Sequence, residues 1–285
     1  MAGTPSTTVD YRVRWKPGGV VPGMHRGTQA GIGHELRASV PFHAHPDPRR
    51  LDLRSSLRDP YQRLWVHDCQ QSVALKLYVL ADVSASMTYQ GRQDKFAQLQ
   101  TLVATLAHSA WRSGDRFGML AADEQLREEL SLPARLNRSA GEWLQQRLRR
   151  FQPQGRGAQG LLQAAARLPG RRALVFLISD FHWPQALLPE LLQALAAHDV
   201  VPLVLWDTLE TPPMRRHGLA RLRDPETGAQ RSYWLRPALQ PLFEQAYAQR
   251  RQQLQAQFQR AGRRALFIDG PFTPQLLNAY FREAL

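Results

Sequence analysis

The chain has one cysteine, Cys69, and a lone thiol excludes both an internal disulfide and a zinc site built from cysteines. Long apolar runs are missing too. Ala173–Ile178 and, across a proline, Val200–Trp206 are the longest, far short of the roughly 18 residues that a bilayer-spanning helix needs, so no membrane span is expected. Residues Met1 to Ser6 lack a charged start followed by an apolar stretch, so no secretory signal is expected and the protein reads as cytoplasmic. There is no Gly-x-x-x-x-Gly-Lys run, no Gly-x-Ser-x-Gly and no His-Glu-x-x-His, and Gly31-x-Gly33 lacks the third glycine of a dinucleotide loop. Nucleotide binding is not expected. Lysine is scarce, since Lys16, Lys76 and Lys95 are three of the 37 basic residues.

What is present is arginine, scattered in ones and twos from Arg12 to Arg282 and giving a formal net charge of +13. Nucleic-acid binding needs those cations clustered on a recognisable motif, and none accompanies them. The excess charge reads as solvated surface, suited at most to an acidic protein partner. With 285 residues and 43% hydrophobic content, the chain can bury one large core, or one core and a smaller appendage.

Residues 1–74, rich in Gly, Pro, His and Arg, read as an irregular arm. From Leu75 short apolar runs alternate with amphipathic segments, the pattern of βα units around a parallel sheet, and residues 75–285 read as one α/β domain. Leu77–Ala81, Phe117–Ala122, Ala173–Ile178, Val200–Trp206 and Ala265–Ile268 are its expected strands, with Leu126–Leu132 a partner across a turn. Helices are expected over Asp94–Trp111, stopped by Gly114, and over Ser139–Phe151, Gly160–Leu168, Pro184–Ala197, a long segment from Leu239 to Ala261, and Pro274–Ala284. Leu219–Arg223 and Gln230–Leu235 flank the turn-like Asp224–Gly228 and read as an inserted peripheral hairpin.

The chemistry concentrates in the run Asp82, Val83, Ser84, Ala85, Ser86 directly after the first central strand. In an extended loop, residues two apart project to one side, so a carboxylate and two hydroxyls converge at the C-terminal end of the sheet. Open α/β sheets place their ligands there. Ser179 and Asp180 stand at the same place after Ala173–Ile178 and bring a second carboxylate to that rim. Hard oxygen donors carrying few charges suit magnesium or a similar cation that keeps several waters.

Asp82-x-Ser84-x-Ser86 resembles the metal-ion-dependent adhesion site of von Willebrand factor A domains, and Ser179-Asp180 is similar to that family's later Asp-bearing loop. The family's remaining ligand is a threonine after glycine. Here the corresponding stretch is Gly155, Arg156, Gly157, Ala158, Gln159, which puts Ala158 at the position of the missing threonine and leaves Gln159 or water to supply an oxygen. Upstream, Gly23-Met24-His25-Arg26, then Gly31-Ile32-Gly33-His34-Glu35-Leu36, then Arg49 to Arg54 resemble, in that order, the segment preceding the motif in the family called domain of unknown function 58. The third element departs from the family, with His45-Pro46-Asp47-Pro48-Arg49 in place of its acidic turn and Leu53 in place of its tryptophan. The resemblance covers residues 20 to 210. It implies a von Willebrand factor A-like doubly wound sheet flanked by helices, holding Mg2+ with Asp82, Ser84, Ser86 and Asp180. It also implies an adaptor that works with a MoxR-type AAA+ ATPase on a client protein, including the maturation of metalloenzymes.

The competing reading is a phosphotransferase or hydrolase with Asp82 as nucleophile, although such enzymes usually want a second carboxylate two residues on and a lysine near the site, where this chain has Ser84 and no lysine in the later loops. His43, His45 and Asp47 read as a solvated turn. Trp111, Trp143, Trp183, Trp206 and Trp234 read as core or rim packing, with Trp183 next to the site.

Overall fold

The computed structural model describes residues 8–18, 21–207, 218–223, 230–236 and 240–283. Expectations for Met1 to Ser6, for the turn Asp224–Gly228, and for Leu239 and Ala284 lie outside the described residues. The chain forms two compact units, one of Val13–Leu75 with Arg112–Asp115, the other of Met1–Arg12, Lys76–Trp111 and Arg116–Leu285.

In the first unit the arm expected to be irregular carries regular structure: β1 (Pro22–Pro41) and, after the short helix α1 (Leu53–Arg58), β2 (Trp65–Val73) pair antiparallel from Pro41↔Trp65 to Pro22↔Val73. Four register shifts interrupt that ladder. Such shifts break the pairing register, so a regular two-residue alternation is not imposed on the sequence. His25 of the Gly-x-His-Arg element holds Asp115 at 2.7 Å, whose other oxygen accepts the Leu75 N–H at 2.7 Å. Asp52 caps α1, accepting the Ser55 N–H at 3.0 Å and hydroxyls of Ser55 and Ser39 at 2.7 Å. Those bonds, the Ser55 backbone bond first, hold the Asp52 carboxyl well below the usual carboxylate range.

The second unit is built on β3 (Lys76–Asp82), α2 (Lys95–Arg112), β4 (Arg116–Ala122), β5 (Leu126–Arg135), α3 (Ala140–Arg150), α4 (Gly160–Ala166), β6 (Leu174–Ser179), α5 (Leu187–Ala194) and β7 (Asp199–Leu205). The hairpin β8 (Gly218–Arg223) and β9 (Gln230–Leu235), α6 (Gln240–Arg260), β10 (Leu266–Ile268) and α7 (Pro274–Glu283) complete it. Six strands form one sheet in the order β10-β7-β6-β3-β4-β5, parallel throughout except for β5, which runs antiparallel to β4. Every residue of β6 is buried, as its unbroken apolar run requires of a strand covered on both faces. In α2, Phe96, Leu99, Leu102, Val103, Leu106 and Ala110 are buried at helical spacing, and Gly114 beyond its end sits at φ +68°, the left-handed conformation that stops helices. The hairpin pairs Gly218↔Leu235 through Arg223↔Gln230 as a separate sheet. Its Trp234 is 61% exposed, which corrects the expectation that this indole packs in the core or rim. A two-stranded ribbon has no second layer to bury both of its faces.

Chain connections leave β3 toward β4 on one side, and β6 lies on its other side. The crevice between the C-terminal ends of β3 and β6 is therefore the topological switch point, where an open α/β sheet binds its ligands. The turns around it are tight. A Cβ on Gly160 would overlap the backbone of Gln125, and the Gly160 N–H donates to the Asp123 carbonyl at 2.8 Å. Gly160→Ala is expected to cost about 1–3 kcal/mol, the range for overpacking a closed site. Urea unfolding measures it, and an unchanged midpoint would mean that the β4–β5 turn yields freely.

Candidate functional site

An aspartate ends or closely follows each parallel strand: Asp82 on β3, Asp123 after β4, Asp180 after β6, Asp207 two residues beyond β7 and Asp269 after β10. Among the described residues three of the five are met by cations. Arg127 holds Asp123 at 2.5 Å, Lys95 holds Asp180 at 2.8 Å, and Arg251 holds Asp269 at 2.9 Å. Asp207 accepts the Gln93 N–H at 2.7 Å. Asp82 is held by neutral donors alone among its hydrogen bonds, namely the Ser84 N–H at 2.9 Å, the Ser179 hydroxyl at 2.5 Å and the Trp183 indole N–H at 3.0 Å.

The four residues expected to form the site come together in one chain of bonds. The hydroxyls of Ser84 and Ser86 lie 3.1 Å apart, and that of Ser86 donates to Asp180 at 3.2 Å. They do not converge as alternating residues of an extended loop. Ser84 is extended, but Ala85–Thr88 forms a helical turn, with the Met87 N–H on the Ser84 carbonyl at 3.1 Å. The turn brings Ser86 back over Ser84.

The loop carrying Asp180 is shaped by bonds that the sequence does not announce. Phe181 takes φ +57°, an uncommon conformation for a residue with a Cβ. It is held there by its N–H on the Ser179 hydroxyl (2.8 Å), by Arg250 on its carbonyl (2.9 Å), and by the Trp206 indole N–H on the Asp180 carbonyl (2.7 Å). Trp183 also touches the Ser179 hydroxyl at 2.9 Å, so this tryptophan lies at the site as expected.

Asp82, Ser84, Ser179 and Asp180 are 0% exposed, and Ser86 and Lys95 are 2% exposed. Burial, and then the neighbouring Asp180 charge, push the Asp82 carboxyl up to about 7. Burial works in the same direction on Asp180, but the charges of His182 and Lys95 and the Lys95 bond outweigh it and hold that carboxyl below its ordinary value. The pair therefore divides into an ionised Asp180, closed by an ammonium, and an Asp82 that holds a proton readily.

The magnesium expected from the motif can be tested against this donor set. The 3.1 Å between the two serine hydroxyls is close to the spacing of neighbouring corners of an octahedron with ligands at ~2.1 Å. The other donors do not fit. Ala158 carries no oxygen and packs into the apolar core with Leu80 and Leu161, and Gln159 turns its side-chain oxygen back over Gly157, on an exposed position. Lys95 already fills the charge position beside Asp180. Among the described residues no three His, Cys, Asp or Glu side chains are grouped to hold a metal ion.

Lys95 and Trp206 join the site without being expected there. The available signal for Lys95 is its place in α2, four residues before Leu99 and seven before Leu102, on the face that is buried.

A doubly wound sheet with one antiparallel edge, bearing Asp-x-Ser-x-Ser at its switch point and Ser-Asp on the adjoining strand, defines a von Willebrand factor A-like domain. The chain belongs to the family described as Protein of unknown function DUF58, which matches residues 43–253. That span begins after the glycine-histidine elements of β1 and runs on through most of α6. An uncharacterized protein of Mycobacterium tuberculosis is 27% identical over 255 residues, covering 86% of this chain and 77% of that one. A Paracoccus denitrificans protein described as lying in the moxR 3' region is 44% identical over 70 residues, covering 25% of this chain and 67% of that one. Among solved structures, BatB from Bacteroides thetaiotaomicron is similar at 17% identity with a TM-score of 0.48, covering 74% of this chain and 97% of that one. The mussel byssus proximal thread matrix protein 1, solved with a zinc-occupied adhesion-site motif, is similar at 12% identity and a TM-score of 0.37, covering 74% and 47%. No helix of the described residues is long and apolar enough to cross a membrane.

Proposed function

We propose that this protein is a non-enzymatic adaptor of the cytoplasm that binds a protein partner through the rim above β3 and β6, in the service of a MoxR-type AAA+ ATPase and its client. The observation that carries the reading is a closed constellation beneath an exposed, polar rim that carries Arg92 and Arg156 as well as Glu124. Asp82, Ser84, Ser86 and Asp180 spend their bonds on one another and on Lys95, Ser179 and Trp183, whereas Gln90, Arg92, Gln154, Arg156, Gln159 and His182 in the flanking loops are exposed. Asp82 is 0% exposed, so an ester could reach its carboxylate only if the surrounding loops moved, which counts against the phosphotransferase or hydrolase reading. The loops are pinned to the constellation, since Ala85 N–H donates to the Gly155 carbonyl at 2.8 Å, so the rim presents a preorganised surface. The moxR neighbourhood of the Paracoccus relative supports the choice of ATPase. A client in metalloenzyme maturation is what the family resemblance suggests.

The expected contact is between exposed rim groups and an acidic partner surface, because the sealed motif residues cannot themselves touch a partner. Capture of a MoxR-type ATPase from the same organism by the full chain tests it. Arg92→Glu with Arg156→Glu is expected to weaken capture about tenfold, equivalent to about 1.4 kcal/mol. Undiminished capture by the folded double variant would put the interface elsewhere.

A further inference from the structure

We infer that Lys95 is the resident cation of this site, a built-in ammonium standing where the resembled adhesion site holds a divalent metal, so that the rim keeps its shape and its partner-binding surface without metal. Four observations converge on it. The Lys95 Nζ lies 2.8 Å from Asp180 Oδ2 with both side chains buried, so the charge of that carboxylate is already matched. A divalent ion at the same carboxylate would meet the ammonium head-on in a region with little water to screen the repulsion. The oxygens are also bonded within the protein, Ser84 to Ser86, Ser86 to Asp180 and both Asp82 oxygens to neutral donors, so an entering metal would have to displace bonds already made. Magnesium keeps several waters in its shell, and residues between 0 and 2% exposed leave no solvent-facing position for them. Finally Ala158, at the position where the resembled site has its threonine, contributes a methyl group to the apolar core.

The placement of Lys95 carries its own signature. The first turn of a helix repels cations, because the unpaired N–H groups and the helix dipole are positive there. Lys95 opens α2 and is buried, so the position requires an opposing carboxylate, and Asp180 supplies it from a different strand end. Its ammonium also lies 5.5 Å from the Tyr89 ring centroid, in the loop that joins the serine motif to α2. One side chain thus ties together the loop after the first motif, the helix and the second aspartate, which is the mechanical task of the metal in the resembled site.

Titration of the full chain with magnesium and with manganese, by calorimetry and by thermal unfolding, decides the inference on the native protein. No saturable binding and a Tm indifferent to EDTA are expected. One-to-one binding with a Tm rise that EDTA reverses would overturn it. Lys95→Ala should convert the site, giving a lowered Tm in EDTA that manganese restores, because the buried Asp180 carboxylate then loses its ammonium and the space vacated by the side chain admits an ion with its waters. A folded Lys95→Ala whose Tm ignores manganese, EDTA and the loss of the ammonium alike would also overturn it. Should Lys95→Ala fail to fold, the wild-type titration still decides. Capture of the MoxR-type ATPase in EDTA keeps this inference separable from the adaptor reading, on which its partner-binding clause rests: absent capture with or without metal overturns the adaptor and leaves Lys95 standing, and capture that EDTA abolishes overturns Lys95.

Discussion

Asp180→Ala is expected to destabilise the α/β unit by about 3–5 kcal/mol, the loss found when one member of a buried ion pair is removed. The ammonium of Lys95 would remain at 2% exposure and lose the carboxylate that now stands 2.8 Å from it. The Ser86 hydroxyl and the His182 N–H, at 3.2 and 3.1 Å from the same carboxylate, would lose an acceptor as well. The size of the loss would reflect the stranded charge more than the worth of the pair, and a second variant separates the two. Lys95→Met combined with Asp180→Asn removes both charges, fills the lysine's space with an unbranched apolar chain, and leaves an amide oxygen for Ser86 and His182. It should recover most of the stability, since neutral replacement of a buried pair is often tolerated. Chemical unfolding of the wild type, Asp180→Ala and the double variant measures the three. A double variant as unstable as Asp180→Ala would show that the ion pair itself, not the avoidance of an isolated charge, holds the site together.

The sheet is legible in the sequence because the interiors of its central strands are unbroken apolar runs. Leu77–Ala81 and Ala173–Ile178 are apolar on both faces, and they pair side by side as β3 and β6, from Leu77↔Leu174 to Ala81↔Ile178. Asp82, Ser84, Ser86 and Asp180 are legible for the same reason, since polar residues immediately after a buried strand can only lie at its end. The strand β1 is not legible, because its broken register imposes no regular alternation on the sequence. Lys95 is obscured by chemistry rather than by pattern. A lysine opening a helix reads as a solvated head group, and only the fold brings the end of β6 to it. Ala158 is the reverse case. Its order in the chain places it where a ligand belongs, and the apolar packing around it shows a small core residue with no polar partner to serve.

Trp206→Ala is expected to cost about 3–5 kcal/mol, the range for emptying the space of a large buried aromatic side chain. Trp206 is 1% exposed, with Tyr247 at 4.7 Å and Phe267 at 5.5 Å between ring centroids, and the exposed His182 ring stacks on it at 5.8 Å and 6°. Its indole N–H also holds the Asp180 carbonyl at 2.7 Å, one residue before the left-handed Phe181. Packing and loop geometry can be told apart by Trp206→Phe, which keeps most of the apolar volume and removes the donor. That variant should lose only about 1–3 kcal/mol for the buried carbonyl left without its partner. Its consequence should appear at the rim, because the residues after Asp180 would be freed to leave the strained conformation and carry His182 with them. Weaker capture of the ATPase by a well-folded Trp206→Phe would then be the expected functional result. Full capture, together with a stability close to that of the wild type, would mean that the indole acts through volume alone and that Arg250 and Ser179 suffice to hold the loop.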